Sequence, residues 1–152
     1  MGKFFFYCLI ALLLAVFFTT LCKKQLRTRH IFLMISYSLY NLLFELICGE
    51  IIDLYYYIEK SDSLVYIIIA DVFLYPLIAV LYVFLLPEGK KVFWFTSGAI
   101  IFLLILEIAS LYTGTIVLTG WKVIPWSVVT YIVSFGLIYV FNNYLNRVLP
   151  DS

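Results

Sequence analysis

The sequence predicts an all-α integral membrane bundle of about five transmembrane helices, with the amino terminus outside and the carboxyl terminus inside. Three observations carry this reading. Of 152 residues, 65% are hydrophobic and 12% charged, whereas soluble domains hold roughly 45–50% apolar and about 25% charged residues. Five separate apolar runs reach the length of about 20 residues that crosses a hydrocarbon core. Basic residues cluster after every second turn of the chain through the bilayer, the pattern of cytoplasmic loops. A soluble chain this short has too little interior to hide so much apolar surface. The net charge of +1 argues against a nucleic-acid partner, which requires a strongly basic face.

The first span is expected at residues 4–22. Its apolar run exceeds the signal-peptide core of about 7–15 residues, and no small-x-small cleavage pattern follows it. Thr20-Leu21-Cys22 lacks the small residue that precedes a lipidated cysteine, and Phe6 stands where N-myristoylation requires Ser or Thr. A retained helix is therefore predicted. The other spans are expected at residues 31–52, 64–86, 92–112 and 123–141. The connections between them are short, so neighbouring helices run antiparallel in one compact domain covering 1–152. Lys23, Lys24, Arg27, Arg29, Lys90, Lys91 and Arg147 fall on one side; Lys3, Lys60 and Lys122 fall on the other. This bias sets the orientation. The acids Glu50, Asp53, Glu59 and Asp62 agree with an outer loop. Tyr55, Tyr56, Tyr57, Tyr112, Trp121 and Trp126 are expected at the outer interface, and Trp94 and Tyr144 at the inner one, because amphipathic rings prefer headgroup depth.

Cys8, Cys22 and Cys48 form no CxxC pair, and His30 has no helical partner for a zinc site. In apolar runs such cysteines behave as small hydrophobes. No metal centre and no cofactor is assigned.

Three acids lie inside the spans: Glu45, Asp71 and Glu107. A charged acid at the helix centre costs about 2.5–3.5 kcal/mol, and no Lys or Arg lies within a span to offset it. Each acid must be protonated, solvated in a water-filled cavity, or bound to a cation. At 1.5 Å per residue, Glu45 and Asp71 lie roughly 10 Å and Glu107 roughly 8 Å below the outer surface. Each belongs to a polar stripe at helical spacing. Ser38, Asn41, Glu45 and Gly49 share one face; so do Asp71, Tyr75 and Tyr82; Glu107, Ser110 and Gly114; and Ser127, Tyr131, Ser134 and Asn142. Polar faces turn away from lipid, so four helices are expected to point inward and the first span to pack at the edge. Pro76 is expected to bend the third helix by freeing the carbonyl of Val72. The candidate cavity residues for a proton or cation are Glu45, Asp71, Glu107, Asn41, Tyr75 and Tyr131. Oxygen-only ligands would suit magnesium or calcium rather than zinc. The bland alternative is that these groups only stitch helices together, contributing about 0.6–2 kcal/mol each.

Tyr75-Pro76, then Leu86-Pro87-Glu88-Gly89-Lys90, Glu107, Thr119-Gly120-Trp121 and Trp126-Ser127 follow one another in an order, with Leu39-Tyr40-Asn41 before them. This order resembles a family of small uncharacterised multi-span membrane proteins of Bacillus- and Clostridium-type Firmicutes, over roughly residues 37–135. The resemblance implies the multi-span architecture and a bacterial plasma membrane. The family has no assigned activity, so no site residue is carried over.

Two functional classes remain, with a third beside them. The acids without an internal base fit a proton- or cation-linked transporter or channel subunit. Five helices make a thin pore, so this reading expects a homo-oligomer or a partner membrane protein within the lipid bilayer. The alternative is a membrane-embedded enzyme acting on a lipid or isoprenoid, although no HExxH, GxSxG or Gly-rich phosphate loop is present. Glu50 and Asp53 form an ExxD at the outer edge. The third class is a structural or accessory subunit of a larger complex.

Overall fold

The computed structural model describes residues 1–149. It contains five helices long and apolar enough to cross a membrane: α1 (Gly2–Leu21), α2 (Thr28–Ile51), α3 (Lys60–Leu85), α4 (Lys91–Thr113) and α5 (Val123–Val148). Their positions match the five expected spans. The largest difference is at the end of α5, which continues seven residues past 141. Asn142 and Leu145 extend the buried face of Ser134, Phe135 and Ile138, so the helix goes on burying side chains beyond Phe141.

A two-stranded antiparallel sheet joins the two loops at one end of the bundle. Strand β1 (Tyr55–Tyr57) pairs with β2 (Ile116–Leu118), Tyr55 opposite Leu118 and Tyr57 opposite Ile116. The Leu54 carbonyl accepts the backbone N–H groups of Thr119, Gly120 and Trp121 at 2.9–3.0 Å, which ties the loops further. We call this the sheet end. Lys23, Lys24, Arg27 and Lys90 lie in the turns at the opposite, basic end. A sequence reading that treats both loops as plain connections misses the sheet, because its three-residue strands are too short to show alternation. Tyr55 and Tyr57 consequently do not sit as interfacial anchors. Both are buried, whereas Tyr112, Trp126, Trp94 and Tyr144 are exposed.

The helices form a ring in the order α1, α4, α5, α2, α3, and α3 also reaches α5. Half of the most apolar stretch of α3 is buried; Ile67, Ala79 and Val80 have no or almost no exposure. The expected polar stripes point inward: Asn41, Glu45, Gly49, Asp71, Tyr82, Glu107, Ser110, Ser127, Ser134 and Asn142 are all buried. The first helix is not an edge element. Gly2, Phe6, Ile10 and Phe17 define one buried face, and Phe6 packs edge-on against Tyr57 and Tyr66. An apolar helix shows no polar stripe even when one side is covered, so its sequence could not reveal this contact.

Wide π-helical turns occur at Leu46–Ile51 in α2 and Ala70–Leu74 in α3, and the start of α5, Val123–Ser127, is kinked, with Ile124 in extended backbone. In α3 the Tyr75 N–H donates to the Ala70 carbonyl, one residue further back than in an α-helix. Pro76 follows at once. The expected irregularity at Pro76 thus takes the form of a wide turn, which makes room for a ring that has no N–H and would crowd the preceding turn.

Candidate functional site

Each of these irregular segments adjoins a buried polar group. Glu45 is the last residue before the π-turn of α2, Asp71 lies in that of α3, and Ser127 ends the kinked start of α5. Such turns often mark functional sites, because the extra residue rotates one side chain out of helical register.

Glu45 and Glu107 line one internal cavity of about 630 Å³, within the range of single-ligand pockets. The acids are held by two separate networks. The Tyr57 hydroxyl donates to Glu45 Oε1 at 2.8 Å and lies 2.9 Å from the Tyr75 hydroxyl, which also bonds Oε1. Glu45 Oε2 is buried without a partner. Across the cavity, Ser127 Oγ donates to Glu107 Oε1 at 2.6 Å and the Tyr131 hydroxyl donates to Oε2 at 2.8 Å. The Trp121 indole N–H donates to Ser127 Oγ at 2.8 Å, which leaves the serine proton for the carboxylate. Both Glu107 oxygens therefore serve as acceptors. Burial pushes the Tyr57 phenol well above its ordinary pKa, with the Glu45 charge acting in the same direction, so Tyr57 stays a neutral donor.

Of the expected site residues, Glu45, Glu107, Asn41, Tyr75 and Tyr131 line this cavity. Asn41 Nδ2 donates to the Tyr37 carbonyl at 2.9 Å. Asp71 does not join them. It is 1% exposed, outside the cavity lining, and neither carboxyl oxygen has a partner. Its backbone carbonyl accepts a bond from Ser38 Oγ at 2.5 Å. Convergence of all three acids in one cavity is thus corrected to two. A residue count along the axis gives depth but not the angle around the helix, and the π-turn alters that angle at Asp71.

Tyr57 and Trp121 are the residues that sequence reasoning missed as site members. Both looked like interface anchors. Tyr57 lies between the acids Asp53 and Glu59, whereas Trp121 stands beside Lys122 with no acid near it, so only Tyr57 carried a signal in the sequence. Glu50 and Asp53 form no joint site: both are exposed, and Asp53 pairs with Lys60 at 2.5 Å.

The cavity wall is mostly apolar, with Tyr37, Asn41, Tyr82 and Ser134 among its polar groups besides the two acids, and no Lys, Arg or His lines it. No group of three or more His, Cys, Asp or Glu residues suited to a metal ion occurs among the described residues. A second cavity of about 820 Å³ lies at the basic end, among Lys23, Lys24, Arg27, Arg29, His30 and Glu88. There His30 Nδ1 accepts the Arg27 N–H at 3.0 Å and caps α2, while its ring packs edge-on against Phe84. The chain matches no family model, no curated protein and no solved structure.

Proposed function

We propose that the protein is a small proton- or cation-linked membrane transporter subunit, whose cavity accepts a cationic group between Glu45 and Glu107. One observation carries the reading: two buried carboxylates, each gripped by hydroxyl donors, line a cavity that has no basic residue. Hydroxyl donors disperse the acids' charge without cancelling it, so a cation or proton completes the site. The bias of basic residues puts the basic end in the cytoplasm and the sheet end outside. The family resemblance supports a bacterial plasma membrane. The thin five-helix ring favours assembly with further copies or with a partner membrane protein.

The test uses Trp121, which touches Ser127. In a Trp94→Phe/Trp126→Phe protein it is the one tryptophan left of three. Titrating this protein in nanodiscs with ethylamine is expected to give a saturable change in emission. Glu45→Gln and Glu107→Gln should abolish the change while helix content stays intact. An equal response in the double variant overturns the reading. The apolar walls favour a second reading, an enzyme acting on a lipid or isoprenoid, which consumption of a lipid by the reconstituted protein would establish.

A further inference from the structure

We infer that the cavity takes a single-chain amphiphile with a protonated amine head, and that this ligand enters sideways from the bilayer between α1 and α4. The inference rests on the acid end being a cation-accepting site, and it names the class of ligand.

The head is identified by charge complementarity. Glu45 lines the cavity and is 4% exposed, and its buried Oε2 has no partner. Glu107 has both oxygens placed as acceptors. An ammonium group supplies donors and positive charge to such a site. A neutral hydrocarbon would leave Oε2 unpaired in a dry environment, which is unfavourable.

The chain is identified by the walls. Apolar residues of α4 from Trp94 to Leu106 line one side, a length of roughly 18 Å at 1.5 Å per residue. Ile78 and Leu81 of α3 and Leu103 of α4 face the same space. A small hydrated cation makes no use of an apolar wall this long, whereas an alkyl chain covers it.

The route is identified by residues that line the cavity and are also exposed. On α1 these are Leu12 and Val16, on α4 Trp94, Gly98 and Phe102, and at the basic end of α3 Leu85. At the sheet end the two helices are closed together: a Cβ on Gly2 would lie 2.6 Å from the Gly114 carbonyl oxygen, and Thr115 Oγ1 donates to the Gly2 carbonyl at 3.1 Å. Toward the basic end Gly98 lines the cavity, and a Cβ built on it meets nothing within 4 Å. The opening therefore lies in the apolar flank of the ring, where a lipid-like molecule can slide in with its head leading toward the acids.

The full-length protein in phosphatidylcholine nanodiscs would be photolabelled with hexadecylamine carrying a mid-chain diazirine, and the adducts mapped by mass spectrometry. Adducts are expected between residues 9 and 16 of α1 and between residues 98 and 102 of α4. Excess hexadecylamine should suppress them by about tenfold or more, equivalent to ~1.4 kcal/mol. Hexadecanol and ethylamine at the same concentration should not. Gly98→Phe should fill the groove and remove the adducts while the ethylamine response of Trp121 survives. Labelling scattered over the lipid-facing surface, or unaffected by Gly98→Phe, overturns the lateral route. Equal competition by hexadecanol overturns the amine head. A carboxylate-dependent ethylamine response without specific labelling overturns the amphiphile and leaves the cation site standing. Loss of both overturns both.

Discussion

Two buried acids of similar expected depth have opposite surroundings. Glu107 accepts hydrogen bonds from Ser127 and Tyr131, while neither oxygen of Asp71 has a protein partner. Hydrogen bonds to a charged group contribute about 1.5–3 kcal/mol, and an unpartnered buried polar group costs about 1–3 kcal/mol. Glu107→Leu should therefore destabilise the protein by a few kcal/mol, roughly the sum of the donors it orphans. Asp71→Leu should be neutral or stabilising, by up to about 3 kcal/mol. Unfolding midpoints of the two variants in mixed micelles compare them directly, and a destabilised Asp71→Leu would show that Asp71 has a partner after all. Gly2 is the other decisive residue. Its missing side chain allows the approach to Gly114, which itself holds a left-handed φ of 71° that favours glycine. Gly2→Val should push α1 from α4 at the sheet end and lower the unfolding midpoint. An unchanged midpoint together with unchanged α1–α4 cross-linking would refute that contact.

The three-residue sheet does more for the site than its length suggests. It turns Tyr57 inward onto Glu45 and brings Trp121 against Ser127. Its register is testable. Paired residues across antiparallel strands have Cα atoms about 4.5–5.5 Å apart, within the disulfide range of about 4.4–6.8 Å. In a background lacking the three native cysteines, Tyr55→Cys/Leu118→Cys should oxidise readily, and Tyr55→Cys/Ile116→Cys should not. The reverse pattern would mean a register shifted by two. The π-turns act at this scale too. They stand at Glu45 and Asp71, and the kinked start of α5 ends at Ser127, so the backbone departs from α-helical register just where a polar side chain must be aimed.

The ring has a closed sheet end and an apolar flank where Leu12, Val16, Trp94 and Phe102 line the cavity and are exposed. Its loops divide cleanly, the basic turns at one end and the sheet at the other. Single cysteines at Gln25 and Gly89 should be labelled by a membrane-impermeant maleimide only in inside-out vesicles. Cysteines at Glu59 and Lys122 should be labelled only in right-side-out cells. Two successive loops labelled from the same side would remove a crossing from the proposed topology.

Helix number, approximate bounds and inward-facing polar stripes were all legible in the chain, because burial in a bundle follows a 3.6-residue period and apolar length maps onto helix length. Asn41, Glu45, Glu107 and Ser127 could be assigned to an interior on that ground. The chain could not reveal the sheet, since β1 and β2 lie about 60 residues apart and each is too short to carry a pattern. Nor could it reveal the burial of α1, whose sides are alike in polarity. Which acids meet was equally hidden. That depends on the angle of each side chain around its axis, and two wide turns and a kink shift those angles. Tyr57 and Trp121 reach Glu45 and Ser127 only because distant segments pair. Such pairing comes from hydrogen bonds and packing between segments, which leave no periodic trace within either one.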